Sequence, residues 1–295
     1  MSSLTEKNAV IYFLLSLVIF IWGLNFSLVK WAVSEVPPLP FNVVRYSLAS
    51  FVILIVLLGK EGWRKLTVRD GVKFLILGLL GHTVYQVLFI KGISLTSAGN
   101  SSLLVATAPL WTAALGTILD REELGGKGWT GIILGFIGVL IVTLGGGEVS
   151  FGSQGIAGDL LTLLAAISLA TYTVLSQGLL EKYSPLRLTA LTMAFGTMGL
   201  WAFAGRSVVR QSWGTLSVNL WLVLVYSGLL AVVVGYLVWF TAVKVGGPSR
   251  TAIFNNMTPI IAFALAFFLL GESIVPLQAL GGVTVIAGIG LTVRS

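Results

Sequence analysis

The residues of this sequence that could bind a small molecule are neutral polar and aromatic side chains, several of them three or four positions apart. Two residues at this spacing share one face of an α-helix. Amide and hydroxyl groups offer hydrogen bonds to a zwitterionic solute, whereas aromatic rings stack and attract an ammonium group. Such a set predicts a neutral polar and aromatic cavity. The candidate binding residues are Trp22, Asn25, His82, Gln86, Thr107, Trp111, Tyr172, Tyr236, Trp239 and Asn256.

Each of these residues also has a purely structural interpretation. A single His, Asn or Gln inside an apolar helix often forms a hydrogen bond to a neighbouring helix. Aromatic residues near helix ends belong to the belts found at membrane surfaces rather than to a cavity. The residues assigned to such belts are Trp31, Trp63, Trp129, Trp213 and Trp221.

Several other kinds of chemistry lack the residues that they need. The chain has no cysteine, which excludes thiol catalysis, thiolate metal sites and disulfides. It has one histidine and almost no acid within its apolar stretches, so a membrane-embedded enzyme is a remote alternative. The net charge of +7 is not arranged as interleaved basic and aromatic residues, and residues 126–128 lack the rest of a nucleotide-binding loop. We therefore predict no enzymatic activity, cofactor, metal, nucleotide or nucleic acid.

Ten strongly apolar segments must position the candidate residues. Each has the roughly 18 to 25 residues needed to cross a hydrocarbon core about 30 Å thick. Hydrophobic residues make up 56% of the 295-residue chain, charged residues 10%, and the mean hydropathy is +0.98. The sequence thus predicts an all-α membrane protein with ten transmembrane helices. The segments are 9–30, 40–59, 71–93, 98–119, 128–145, 155–178, 186–205, 218–241, 250–270 and 276–293.

The basic residues predict how these helices are oriented. Cytoplasmic loops retain Lys and Arg, and most of the 18 basic residues fall on one side when the N-terminus is placed inside. The second loop, KEGWRKLTVRDGVK over 60–73, contributes most to this bias. Arg45 is expected within the outer part of the second helix. An even number of helices then places the C-terminus in the cytoplasm as well.

An internal repeat divides the chain into two halves. A shift of 150 residues aligns the third to fifth segments with the eighth to tenth without a gap. Five helices are an odd number, so the second half must enter the membrane from the opposite side, as in many secondary transporters. We predict two inverted five-helix units, 1–150 and 151–295. The aligned landmarks are Gly78 with Gly228, Pro109 with Pro259, Glu122 with Glu272, Gly131 with Gly281, and Gly138 with Gly288.

The prolines and glycines of the repeat have different expected roles. Proline removes an intrahelical hydrogen bond and kinks a helix. Pro109 and Pro259 are therefore candidate hinges, one in each half, although a static kink is the alternative. The glycines of the fifth and tenth segments supply small surfaces for close helix packing.

The sequence also resembles a known family. FIWGLNFSLVKWAVSEVPPLPFNVVRYSLA at 20–49 is similar to the start of an EamA-type repeat, and 108–142 and 258–291 are similar to its end. The segment 158–177 resembles the opening of a second repeat. This resemblance implies the drug/metabolite transporter superfamily, with ten helices, cytoplasmic termini, and a cavity lined by helices 1, 3, 4, 6, 8 and 9. Within it, the chain is most similar to bacterial YddG-type exporters of aromatic amino acids.

Carboxylates do not support proton exchange in this chain. Small multidrug members of the superfamily use a carboxylate in helix 1, and this sequence has none there. Asp159 is expected at the outer start of the sixth helix, exposed to water. The coupling ion therefore stays open.

Together these features predict a bacterial inner-membrane exporter of amino acids and related metabolites, aromatic ones above all, that works by alternating access. A multidrug or nucleobase exporter on the same scaffold is the alternative. A highly charged phosphate ester fits poorly, since no cluster of Lys and Arg is visible within the apolar segments. The predicted partners are a small-molecule substrate and the lipid bilayer. The oligomeric state stays open, and a monomer is compatible with the sequence.

Overall fold

The computed structural model describes residues 2–119, 125–145, 154–246, 248, 251, 254–271 and 275–293. The regular structure within these ranges is entirely helical, which confirms the predicted all-α class. Ten helices follow the ten predicted segments in order. They are α1 (Ser2–Glu35), α2 (Pro38–Glu61), α3 (Val68–Leu95), α4 (Ala98–Ile118), α5 (Gly126–Gly145), α6 (Gln154–Leu180), α7 (Pro185–Arg210), α8 (Val218–Val245), α9 (Thr258–Leu270) and α10 (Pro276–Val293).

The outside of the bundle is suited to lipid. In the described part of the chain, α1 to α4 and α6 to α8 are long and apolar enough to cross a membrane, and α9 and α10 contain shorter apolar helices. Large apolar side chains point outward, including Phe13 at 70% and Phe268 at 79% exposure. Soluble monomers rarely expose contiguous surfaces of this kind. The helices are therefore membrane-embedded.

Four helices begin at a polar capping residue. The side-chain oxygens of Thr67, Ser97, Ser184 and Ser217 each accept a hydrogen bond from the backbone N–H three residues further on. A cap of this kind satisfies one of the N–H groups that the first turn leaves unpaired. The short polar turns thereby determine where α3, α4, α7 and α8 begin.

The contact between α5 and α10 shows that the two halves are inverted. A methyl group added to Gly138 would lie 2.6 Å from the backbone nitrogen of Val285, and one added to Gly288 would lie 2.6 Å from that of Gly135. The contact moves from Gly138 back to Gly135 along α5 while it moves from Val285 forward to Gly288 along α10. These equivalent helices are therefore antiparallel. These reciprocal contacts fit a two-fold axis that passes between the two helices, and the predicted close packing through glycine is confirmed.

The same axis relates α2 to α7. Arg187 of α7 forms an ion pair with Glu61 near the end of α2, whereas Thr197, further along α7, donates to the carbonyl of Tyr46, further back along α2. These helices are therefore antiparallel too. The inverted arrangement thus extends to α2 and α7, which the comparison of sequences did not align. The predicted unit boundary between 150 and 151 lies outside the described residues.

Irregular backbone occurs at equivalent places in both halves. A π-helical segment spans Leu79–Val84 in α3, and another spans Ser227–Val234 in α8. α4 is interrupted at residues 106–107, directly before the second piece that carries Pro109 in its first turn. The short 3₁₀ turn Asn255–Met257 likewise precedes Pro259 in the first turn of α9. The prolines thus begin helical pieces, where a missing N–H costs nothing.

The glycine contact between α5 and α10 can be tested by thermal unfolding of the purified protein in detergent. We expect Gly288→Ala to lower the melting temperature, because its methyl group would lie within 3 Å of the backbone of Gly131 and Gly135. Overpacking of this kind costs about 1–3 kcal/mol. Gly290→Ala is the matched control on the same helix, since nothing lies within 4 Å of its added methyl group. Equal melting temperatures for the two variants would contradict this packing.

Candidate functional site

A cavity of about 810 Å³, including the space at its mouth, lies among seven of the described helices. Residues of α1, α3, α4, α6 and α8 line it, together with Thr258 at the start of α9 and Asn255 just before it. α2 also contributes, through Arg45 and Tyr46, which the sequence analysis did not include.

Five of the candidate binding residues lie in the cavity wall. They come from helices far apart in sequence: Trp22 and Asn25 from α1, Gln86 from α3, and Tyr236 and Trp239 from α8. The rings of Trp22 and Trp239 lie 5.5 Å apart and are tilted by 50°. The indole of Trp22 donates a hydrogen bond of 2.8 Å to the carbonyl of Ala231. Aromatic faces therefore form one wall of the cavity, held in place by a bond between the two halves.

His82 and Tyr172 lie beside the cavity wall rather than in it. The Nε2 atom of His82 lies 3.3 Å from the hydroxyl of Tyr172 and 3.2 Å from that of Thr192, and these two hydroxyls lie 2.8 Å apart. All three side chains are fully buried. The cluster joins α3, α6 and α7, so its geometry is that of an interhelical hydrogen-bond network.

Thr107 and Trp111 face away from the cavity. The hydroxyl of Thr107 donates to the carbonyl of Leu104 at 2.6 Å and accepts from the indole of Trp111 at 3.2 Å. The ring of Trp111 packs edge-on against Phe136 of α5 at 4.7 Å. These contacts cover the break in α4 from the outside. The side chain of the remaining candidate, Asn256, lies outside the described part of the chain.

The candidate hinge prolines lie close to the cavity. Pro109 is part of the cavity wall, and Thr258, the residue before Pro259, is also part of it. The breaks in α4 and α9 thus adjoin the cavity from two sides. This placement suits a hinge role, which stays a prediction.

Arg45 is the most unexpected residue of the site. It is 1% exposed and lies well inside α2, with its guanidinium bound to the side-chain oxygens of Asn42, Gln86 and Ser227. A charged residue inside an apolar transmembrane segment is rare and usually functional, and that signal could have identified it. Thr112 and Thr173 also line the cavity. Their hydroxyls are too common in membrane helices to be distinguished by sequence.

A polar network joins the helices at each end of the bundle. At one end, Arg187 pairs with Glu61 at 3.2 Å, and the hydroxyl of Tyr183 donates to Asp70 at 3.0 Å. Partial burial, together with the bond to Asp70, raises the pKa of the Tyr183 hydroxyl, which therefore stays protonated and can donate. Lys182 lies 3.5 Å from Asp70 in the same network.

The network at the opposite end contains Asp159. The sequence analysis expected this residue to be exposed to water, but it is 4% exposed. Its carboxylate accepts from Thr96 at 2.6 Å and from Asn100 at 3.5 Å, and Asn100 in turn accepts from Gln278 of α10. The expectation was wrong because the α3–α4 turn folds over the start of α6 and covers it.

A mutation in the His82 cluster can test whether the cluster binds ligand or only stabilises the helix packing. We expect Thr192→Val to lower the melting temperature, because it leaves buried groups of His82 and Tyr172 short of a partner, at a cost of about 1–3 kcal/mol. The affinity for ligands of the cavity should change little. Thr171→Val is the matched control, since that hydroxyl bonds to a carbonyl of its own helix. A large loss of ligand affinity without destabilisation would place the cluster in the binding site instead.

Comparison with known proteins agrees with this architecture. A model of the EamA-like transporter family matches residues 9–144 and 156–294. The Bacillus subtilis transporter YyaM is 30% identical, with 96% of this chain and 93% of that protein covered. A Salmonella typhimurium protein named as a probable amino-acid metabolite efflux pump is 28% identical, with coverages of 95% and 94%.

A solved crystal structure has the same fold. It superposes with a TM-score of 0.67 over 94% of this chain and 95% of that chain, at 18% identity. Two family matches, one on each half of the chain, agree with the internal repeat. The chain belongs to the EamA-like transporter family.

Proposed function

We propose that this protein exports amino acids and related metabolites, aromatic ones above all, across a bacterial inner membrane. The observation that carries the proposal is the cavity between the inverted halves, walled by Trp22, Trp239 and Tyr236 and edged by Asn25 and Gln86. Aromatic faces contribute about 0.5–1.5 kcal/mol each beyond the burial of area. Amide groups supply hydrogen bonds to the polar end of the solute.

Alternating access follows from the inverted halves and from the positions of irregular backbone. Two halves of opposite orientation can exchange conformations, so the cavity opens to one side and then to the other. The breaks before Pro109 and Pro259 and the two π-helical segments adjoin the cavity. A helix bends most readily at such places. The polar networks around Arg187 and Asp159 are suited to close the opposite ends in turn.

The relative from Salmonella typhimurium supports amino-acid metabolites as the substrate class, since its name describes efflux of such compounds. A multidrug or nucleobase exporter remains the second candidate. The aromatic walls favour flat apolar bodies of several kinds, so competition among them decides between the two.

Transport by purified protein in liposomes tests the proposal. We expect counterflow of labelled phenylalanine or tryptophan above that of empty liposomes, and inhibition by other aromatic amino acids at lower concentrations than by nucleobases or drugs. If no aromatic amino acid shows counterflow, the proposed substrate class is wrong. Stronger inhibition by nucleobases would favour the alternative.

The aromatic wall can be tested in the same assay. Trp22→Ala and Trp239→Ala should each weaken the apparent affinity about 2- to 13-fold, the range that corresponds to the loss of one aromatic contact. Trp129→Ala is the control, because this indole on α5 is 44% exposed and lies outside the cavity wall. Unchanged affinity after replacement of Trp22 and Trp239 together would contradict the site.

The orientation can be tested with single cysteines, since the chain has none of its own. The excess of Lys and Arg in the α2–α3 loop predicts that this loop is cytoplasmic. In intact cells, a membrane-impermeant maleimide should label Ser34→Cys, at the end of α1, but not Trp63→Cys, which is 67% exposed in that loop. Labelling of Trp63→Cys but not of Ser34→Cys would contradict the predicted orientation.

A further inference from the structure

Arg45 places an uncompensated positive charge in the cavity wall. Its side chain is one of the largest in the described chain to be fully buried, and it lines the cavity. The two salt bridges formed by described residues lie elsewhere, and none of the residues that line the cavity is acidic. No Lys or Arg among the described residues of the second half lines the cavity. The charge therefore belongs to only one half of the repeat.

Neutral oxygens hold the guanidinium in a single orientation. Its Nη2 atom donates to Asn42 and Gln86, each at 2.6 Å, and its Nη1 atom donates to Ser227 at 2.9 Å. The Nε atom has no hydrogen-bond partner. The guanidinium thus keeps an unused donor, and neutral partners leave its charge in place.

A hydrogen-bonded chain connects this charge to the aromatic wall. The hydroxyl of Ser227 donates to Asn25 at 2.6 Å, and Asn25 shares one face of α1 with Trp22. The three side chains Arg45, Ser227 and Asn25 thereby bridge α2, α8 and α1. A solute whose anionic group lies at Arg45 can place an apolar body near Trp22 and Trp239.

Physical chemistry indicates what this arrangement recognises. A buried cation without a counter-ion is costly, and an anion that pairs with it recovers part of that cost. Arginine suits carboxylates in particular, because its planar donors match the two oxygens. A cationic solute would instead meet repulsion in a region of low dielectric constant.

We propose that Arg45 binds the carboxylate of the transported solute, so that the carboxylate is required for recognition and the ammonium group is not. This inference rests on the proposed function and narrows its substrate class to carboxylates with an apolar, preferably aromatic, body. Aromatic amino acids belong to this class, and so do their analogues without the amino group. The corresponding amines, which lack the carboxylate, are excluded.

Three related compounds distinguish the contribution of the carboxylate from that of the ammonium group. They are phenylalanine, 3-phenylpropanoate, which lacks the amino group, and phenethylamine, which lacks the carboxylate. We expect phenylalanine and 3-phenylpropanoate to raise the melting temperature of the detergent-purified protein and to inhibit counterflow. Phenethylamine should do neither at concentrations at least tenfold higher.

Two variants test the role of Arg45 itself. Arg45→Gln removes the charge and should weaken the effect of 3-phenylpropanoate at least about tenfold, in line with the loss of a hydrogen bond to a charged group. Gln86→Glu keeps the arginine but supplies an internal carboxylate where Gln86 now lies 2.6 Å from Nη2. It should fold even if Arg45→Gln does not, and it should weaken the same ligand. Gln211→Glu, at the end of α7, adds the same charge outside the cavity and is the control.

The outcomes distinguish this inference from the proposed function. If phenylalanine is transported but 3-phenylpropanoate fails to compete, or phenethylamine competes equally well, the inference is overturned while amino-acid export stands. The inference is also overturned if Arg45→Gln and Gln86→Glu both bind 3-phenylpropanoate with the affinity of the unmodified protein. If 3-phenylpropanoate stabilises the native protein and not the variants, but no amino acid is transported, the carboxylate site stands and the proposed substrate falls. Absence of binding by all three compounds overturns both.

Discussion

Backbone N–H and C=O groups within a membrane have no water to bind, and the rest of this structure depends on that constraint. Each unpaired group costs several kcal/mol, so irregular backbone is tolerated only where protein or a cavity surrounds it. The breaks in α4 and before α9 and the two π-helical segments all adjoin the central cavity. The backbone therefore departs from regular helix at the site, where the departure can serve binding and movement.

The two-fold relation between the halves explains why these departures occur in pairs. α5 packs antiparallel against α10 and α2 against α7, and the glycine contacts between α5 and α10 recur at a distance of 150 residues. Glycine permits the closest of these contacts, because any larger residue would meet backbone. A scaffold built in this way has two equivalent halves, each with a break in its helical backbone beside the cavity.

The side chains of the site break this symmetry. Arg45 of the first half lines the cavity without a described Lys or Arg from the second half, and Tyr172 of the second half is hydrogen-bonded to His82 and Thr192 beside the wall. The end networks differ as well, with an ion pair at Arg187 and a buried carboxylate at Asp159. The scaffold is thus related by the repeat, whereas the side chains that line the cavity differ between the two halves.

The sequence by itself determined the ten helices, the repeat and the family, because hydrophobic length and a constant shift are one-dimensional signals. It also identified Trp22, Asn25, Gln86, Tyr236 and Trp239 as polar or aromatic residues at helical spacing. Only the tertiary structure decided that these five line the cavity while Trp111 packs on α5. The reason is that spacing defines a shared helix face, but the rotation of each helix against its neighbours decides where that face points. The sequence could not predict the burial of Arg45 and Asp159 for a similar reason, because segments that are distant in sequence cover both side chains.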